Sequence, residues 1–168
     1  MNNSNVTETA ITQEKNQKKN PAKRVQVVNV KIVKEASFLY ANRYVRSPED
    51  GYELFKEHLE EADREHFVVA ALDTKNQPIS INTVHVGCLN SSIVHPREVM
   101  KPAILSNAAS IVVAHNHPSG DPDPSKEDIK VTERLAKAGR VLGIELLDHV
   151  ILGRTTFISL KEKGCATC

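Results

Sequence analysis

The stretch Ser110-Ile111-Val112-Val113-Ala114-His115-Asn116-His117-Pro118-Ser119-Gly120-Asp121-Pro122-Asp123-Pro124-Ser125-Lys126-Glu127-Asp128 carries three structural messages in order. Its first five residues form a short apolar run of the kind that makes a central strand. The next segment is punctuated by glycine and by Pro118, Pro122 and Pro124, so it reads as a loop that turns the chain sharply. Ser125 then opens a helix that runs to about Leu142, with Asp128 in its first turn. A buried strand, a tight loop and a helix in succession predict an α/β unit.

The flanks extend this pattern. Ser47-Pro48-Glu49-Asp50 reads as a helix start, with serine as cap, proline at the first helical position and acids in the first turn. Tyr52, Phe55 and Leu59 share one face of that helix, which is expected to end near Ala62. His66 to Leu72 reads as a buried strand, Asp73 to Pro78 as a turn, and Ile79, Ile81, Thr83 and Val84 as the return strand of a hairpin. Pro96-Arg97-Glu98 opens a second helix to about Asn107. Ile144 to Leu147 with Val150 to Leu152 supply another strand, and Thr155 to Leu160 the last. Upstream, Val28, Val30 and Ile32 alternate with Asn29 and Lys31, a half-buried strand signature. The pattern predicts a mixed α/β domain with one layered core over residues 25–164. A disordered polar tail is expected at 1–24 and a short C-terminal tail at 165–168.

Composition narrows the function. The 168 residues carry 22 Lys and Arg against 21 Asp and Glu, a net charge of +1. So balanced a chain is not expected to bind polyanions strongly, although Lys15, Lys18, Lys19, Lys23 and Arg24 make a local basic cluster, read as a solvated leader. Four Phe, three Tyr and no Trp leave few platforms for stacking single-stranded nucleic acid. No apolar run approaches the ~18–20 residues that span a bilayer, and the first residues lack the apolar core of a signal peptide. The expected compartment is the cytoplasm. Three cysteines do not make a disulfide framework.

The chemistry concentrates in the opening stretch. His115 and His117 lie two apart at a strand end, so both imidazoles point to one face. The loop can return the Asp128 carboxylate towards them. Two histidines and a carboxylate leave a fourth position for water, the layout of a catalytic zinc site rather than a closed structural one. A competing reading treats Ser125-x-x-Asp128 as a helix cap. Capping accounts for those two residues, but not for His-x-His at the preceding strand end or for the punctuated loop between them.

The spacing His115-x-His117-x7-Ser125-x2-Asp128 resembles the JAMM motif of the JAB/MPN metalloprotease superfamily, and its wording resembles the RadC branch. Val86-Gly87, Leu89-Asn90, His95-Pro96-Arg97-Glu98-Val99 and Asp148-His149 agree with that branch, so the likeness covers about Val33 to Gly164. The resemblance implies a mixed sheet flanked by helices, related to cytidine deaminase. It implies Zn2+ held by His115, His117 and Asp128, and hydrolysis of a peptide or isopeptide bond in a protein or peptide substrate. It also implies an upstream glutamate as general base. Among Glu61, Glu65 and Glu98, Glu65 opens the strand before the hairpin as the family pattern requires, whereas Glu98 is explained as first-turn helix charge. By the same analogy Ser125 donates a hydrogen bond to the developing oxyanion, and the same hydroxyl also suits a helix cap. Asn116 stands where other branches carry Ser or Thr.

A rival reading is a DNA-repair or DNA-metabolism accessory factor, the label RadC-like proteins carry. Many of them have an N-terminal helix-hairpin-helix module, for which the first 24 residues are too few, and the charge balance also counts against DNA binding. A zinc deaminase would need a downstream Pro-Cys-x-x-Cys, and Cys165-Ala166-Thr167-Cys168 has no such proline and comes too late. That pair reads as a fraying tail, and Cys88 as a small residue at a strand end. Asp121 and Asp123 each precede a proline and read as turn formers. His85 and His149 read as structural strand residues, with support of a metal ligand as the sharper alternative and Asp148 as a partner able to orient an imidazole. His95 precedes a helix beside the cleft.

Overall fold

The apolar run becomes β3, Ser110–Asn116, buried at every position. In this computed structural model, which describes residues 22–87 and 94–165, β3 lies at the centre of the sheet. The other elements are α1 (Pro48–Leu59), β1 (His66–Leu72), β2 (Pro78–Val86), α2 (Pro96–Leu105), α3 (Lys126–Leu142), β4 (Glu145–Leu152) and β5 (Phe157–Ser159). The strand order is β2-β1-β3-β4-β5. The hairpin expected from the 73–78 turn is the antiparallel pair β1 and β2, and β1 also pairs antiparallel with β3. β3 and β4 are parallel, as a strand–helix–strand crossover through α3 requires. β5 closes the edge antiparallel to β4. The architecture is therefore the expected mixed α/β sheet with helices.

Alternation along β1 and β3 sorts the core between two faces. Phe67, Val69, Ile111 and Val113 pack with Val99 and Met100 of α2 and with Val131 and Leu135 of α3. Val68, Ala70, Val112 and Ala114 pack instead with Leu54 and Phe55 of α1. This parity places the site: His115 continues the face of Ile111 and Val113, towards α3, and Asn116 points the other way.

Both helix starts read from serine are capping boxes. Asp50 N–H donates to Ser47 Oγ at 3.2 Å and Ser47 N–H to Asp50 Oδ2 at 3.1 Å. Asp128 N–H donates to Ser125 Oγ at 3.1 Å and Ser125 N–H to Asp128 Oδ2 at 2.7 Å. An aspartate thus fills the role usually given to Glu or Gln. α1 and α2 end two or three residues before the expected points, at Leu59 and Leu105.

The expectation that fails is the strand around Val28, Val30 and Ile32. The chain divides into two units at Val30 and Lys31. In the first, residues 22–30 carry no helix or strand, and in the second the next element after Lys31 is α1. Val27 and Val28, adjacent and so facing opposite ways in an extended chain, are both exposed. Alternation makes a strand only where one face finds a core, and the five-stranded sheet is complete without this run. The rest of the predicted 1–24 tail, together with Cys88, Leu89, Asn90 and Cys168, lies outside the described residues. No helix among the described residues is long and apolar enough to cross a membrane.

Gly139 of α3 marks a close approach. A Cβ there would overlap the Ile144 carbonyl oxygen, and the Gly139 carbonyl itself accepts from Ile144 N–H at 2.9 Å. Gly→Ala inside a helix ordinarily gains up to about 1 kcal/mol. At this position the expected sign is reversed: Gly139→Ala should destabilise by about 1–3 kcal/mol, the cost of overpacking against backbone. A denaturant melt reads the change, and a variant as stable as wild type would contradict the contact.

Candidate metal centre

β3 delivers His115 at its buried end and His117 just beyond it, where His117 N–H donates to the Leu152 carbonyl at 2.8 Å. The loop then turns back through Gly120, at φ +85°, a left-handed conformation that favours glycine. Gly120 N–H donates to the His117 carbonyl at 2.9 Å, and the Gly120 carbonyl accepts from Arg154 N–H at 3.1 Å, which ties the loop to the end of β4. The turn brings the first residues of α3 against the histidines, as the spacing requires.

Four sequence-predicted residues meet there. His115 Nε2 lies 3.0 Å from His117 Nε2, 3.4 Å from Asp128 Oδ1 and 3.9 Å from Glu65 Oε1. His117 Nε2 lies 3.7 Å from Asp128 Oδ2. Donor atoms of Glu65, His115 and His117 all fall within 4.8 Å of one another, a group able to hold a metal ion. His115 and Asp128 are buried, while Glu65 and His117 are partly open to solvent. The fifth residue, Ser125, sits beside them with its hydroxyl donating to Asp128 Oδ2 at 2.7 Å and accepting from Asp128 N–H. Its hydroxyl is thus engaged in the cap.

The electrostatics follow from this crowding. Burial pushes the His115 imidazole well below its ordinary pKa, with the neighbouring His149 adding to the effect. The Asp128 carboxylate raises His117 against the burial that would lower it. Burial opposes ionisation of Asp128, yet His117, His115 and the hydrogen bonds from Ser125 hold its carboxyl well below the usual range. The group at neutral pH is an ionised carboxylate facing two imidazoles.

The donor set fits zinc. Tetrahedral zinc with bonds of ~2.0–2.1 Å places its ligand atoms about 3.3 Å apart. The His115–His117 and His115–Asp128 separations of 3.0 and 3.4 Å bracket that edge, while His117 to Asp128, through the other carboxylate oxygen, is longer at 3.7 Å. His117 Nδ1 lies 2.7 Å from the Asp121 carbonyl, which only accepts, so in the neutral ring the proton is on Nδ1 and Nε2 is a bare lone pair. Outer hydrogen bonds of this kind orient metal-binding histidines.

Sequence reasoning missed what Asn116 does. On the face opposite His115, its Oδ1 accepts from His66 N–H at 2.8 Å and its Nδ2 donates to the Arg64 carbonyl at 2.9 Å. The two bonds bracket Glu65 and hold it at the edge of the site. Only the parity of β3 hints at this. Asp148 orients no imidazole: its carboxylate accepts from His149 N–H, Ser159 Oγ and Lys161 N–H. His149 is the histidine that touches the site, through His115 at 2.8 Å. His85 lies in β2, and His95 caps α2 by accepting from Arg97 N–H. Asp121 serves the loop as expected, its Oδ1 accepting from Asp123 N–H, whereas the Asp123 carboxylate accepts from Lys163 Nζ at 3.0 Å. Glu98 pairs with Arg97 and Lys101 on the surface of α2. Cys165 packs beside Ile151 and Leu160.

A cavity of about 170 Å³ opens beside His117, bounded by Asn116, Gly120 and Arg154 on one side and by Tyr52 and Lys56 of α1 on the other.

Residues 45–165 match the family described as RadC-like JAB domain. The chain is 60% identical over 126 residues to a UPF0758 protein of Geobacillus sp. strain WCH70, a match covering 74% of this chain and 56% of that protein. It is 61% identical over 125 residues to a UPF0758 protein of Geobacillus kaustophilus, covering 74% and 55%. A UPF0758 protein of Bacillus cereus strain AH187 is 58% identical over 126 residues, covering 74% and 56%. The chain thus spans little more than half the length of the curated relatives it matches.

Proposed function

Since the chain belongs to the RadC-like JAB domain family, we propose that it is a zinc-dependent hydrolase that cleaves an amide, a peptide or isopeptide bond of a protein or peptide substrate. The observation that carries this reading is the convergence of His115 and His117, 3.0 Å apart at Nε2, with the carboxylates of Asp128 and Glu65 at 3.4 and 3.9 Å from His115 Nε2. His115, His117 and Asp128 are assigned as the ligands. Zinc bound to them would lower the pKa of water towards ~7 and polarise the scissile carbonyl. Glu65 is the general base: its carboxylate takes the proton of the attacking water and delivers it to the leaving amine. Asn116 keeps that carboxylate in place through the backbone on either side of it. Ser125 donates to the oxyanion when its hydroxyl proton turns away from Asp128 Oδ2, while its oxygen goes on accepting from Asp128 N–H as the helix cap. The cavity beside His117 gives room for part of a substrate next to that ligand, with Lys56 and Arg154 among its lining residues.

Metal analysis with a peptide-library cleavage assay tests the proposal. Purified protein should carry about one zinc per chain, the number held by a site of two histidines and a carboxylate. It should cleave library members in a manner abolished by a chelator and restored by zinc. Protein that takes up no zinc under any reconstitution would overturn it.

A further inference from the structure

Behind His115 runs a line of polar groups with no place in the hydrolysis steps above. His115 Nδ1 is 2.8 Å from His149 Nε2, and His149 Nδ1 is 2.6 Å from Thr132 Oγ1. The Thr132 hydroxyl donates to the main-chain carbonyl of Asp128 at 2.6 Å. His115, His149 and Thr132 are fully buried and come from β3, β4 and α3.

We propose that Thr132 and His149 are positioning residues that lock His115 into the one tautomer able to ligate a metal, with the proton on Nδ1 and Nε2 bare. The role rests on the metal reading of the site.

The polarity of the line is set at its far end. A carbonyl only accepts, so the single Thr132 proton is committed to Asp128. Thr132 Oγ1 can then only accept from His149, whose Nδ1 must be an N–H. Both rings are fully buried, and the nitrogens of His149 meet His115 Nδ1 and Thr132 Oγ1, neither of them an anion that could pair an imidazolium, so the line is built of neutral rings. A neutral imidazole has one N–H, so His149 Nε2 is a bare acceptor and His115 Nδ1 supplies the proton between them. His115 Nε2 is thereby left as a lone pair facing His117, Asp128 and Glu65. The opposite polarity leaves two oxygens 2.6 Å apart with no proton between them and puts a proton on His115 Nε2, directed at His117 Nε2 3.0 Å away. The polarity chosen leaves those two nitrogens as the facing lone pairs that a metal would take up. Phe67 lies against both rings, 6.0 Å from the His115 centroid and 5.3 Å from that of His149, and shields the line from water that could replace a missing partner. Asp128 joins the two systems: its carboxylate faces the metal position, and its carbonyl anchors the line behind His115.

The test uses Thr132→Val, which keeps the shape and removes the acceptor, and Thr132→Ser, which keeps the hydroxyl. Nitrogen chemical shifts of the imidazoles in metal-free, 15N-labelled protein report the tautomer, and chelator competition reports zinc affinity. The expected result is a protonated Nδ1 and bare Nε2 at His115 in wild type. In Thr132→Val the His115 shifts should move and zinc affinity should fall about 10–100-fold, the usual cost of losing an outer partner, while Thr132→Ser restores both. A merely structural threonine would lower the melting temperature without moving the His115 shifts. A proton on His115 Nε2 in wild type overturns the proposal, and that reading stands even if Thr132→Val does not fold. Tight zinc binding by both wild type and a folded Thr132→Val overturns the positioning role alone. A wild type that binds no zinc overturns the metal reading and this role with it.

Discussion

The His117→Ala variant is expected to lose its zinc while keeping its fold. A metal held by two imidazoles and a carboxylate has no ligand to spare once one is removed, so the affinity loss should exceed the ~100-fold that outer-sphere partners cost. His117 is the informative choice because of where it sits. It lies just past the end of β3, and its side chain is 17% exposed, so truncation costs less packing there than at His115. His115, by contrast, is fully buried between Phe67 and His149, and its removal would confound metal loss with packing loss. Metal content after dialysis, read beside a melting curve, separates the two effects. Full zinc retention in a folded His117→Ala protein would sink the ligand assignment.

Glu65→Gln should lower the cleavage rate by about 10²–10⁴, the usual contribution of a general base, and leave zinc bound. Glutamine keeps the length of the side chain and its accepting oxygen but cannot take a proton. The same variant also tests the division of roles within the site. Glu65 Oε1 lies close enough to the two imidazoles to belong to a metal-holding group with them. Asp128 lies nearer to His115, at 3.4 Å against 3.9 Å, and is more deeply buried. Loss of zinc together with activity would make Glu65 a ligand and overturn its assignment as base, and unchanged turnover would remove it from the mechanism.

How much of this was legible in advance depended on the range of the forces involved. The serine caps at Ser47 and Ser125 were readable because hydroxyl and N–H lie three residues apart, within the reach of a single side chain. The β1–β2 hairpin was readable because its turn is local. The run around Val28 misled because its alternation is also local, whereas a strand needs a partner that lies elsewhere in the chain. Element ends drifted by two or three residues, because the last turn of a helix frays and is closed locally: Asn107, at φ 52°, turns left-handed just past α2, with Ala108 N–H closing on the Ala103 carbonyl at 3.0 Å.

In the site, the spacing of His115, His117, Ser125 and Asp128 was visible because a strand end, a proline-punctuated loop and a first helical turn are each short and stiff. Glu65 could be chosen only by likeness to the family, because it lies 50 residues upstream of His115. The sequence by itself therefore determined a mixed α/β fold, the helix caps and the spacing that brings His115, His117, Ser125 and Asp128 together. Only the tertiary structure decided that Asn116 brackets Glu65 across a 50-residue gap to His66, that Asp148 serves the backbone, and that Thr132 and His149 stand behind His115. Those partners meet through β1–β3 and β3–β4 pairing and through the packing of α3 on one face of the sheet. Such meetings depend on which strands become neighbours, a choice made by burial over the whole chain rather than by any local pattern.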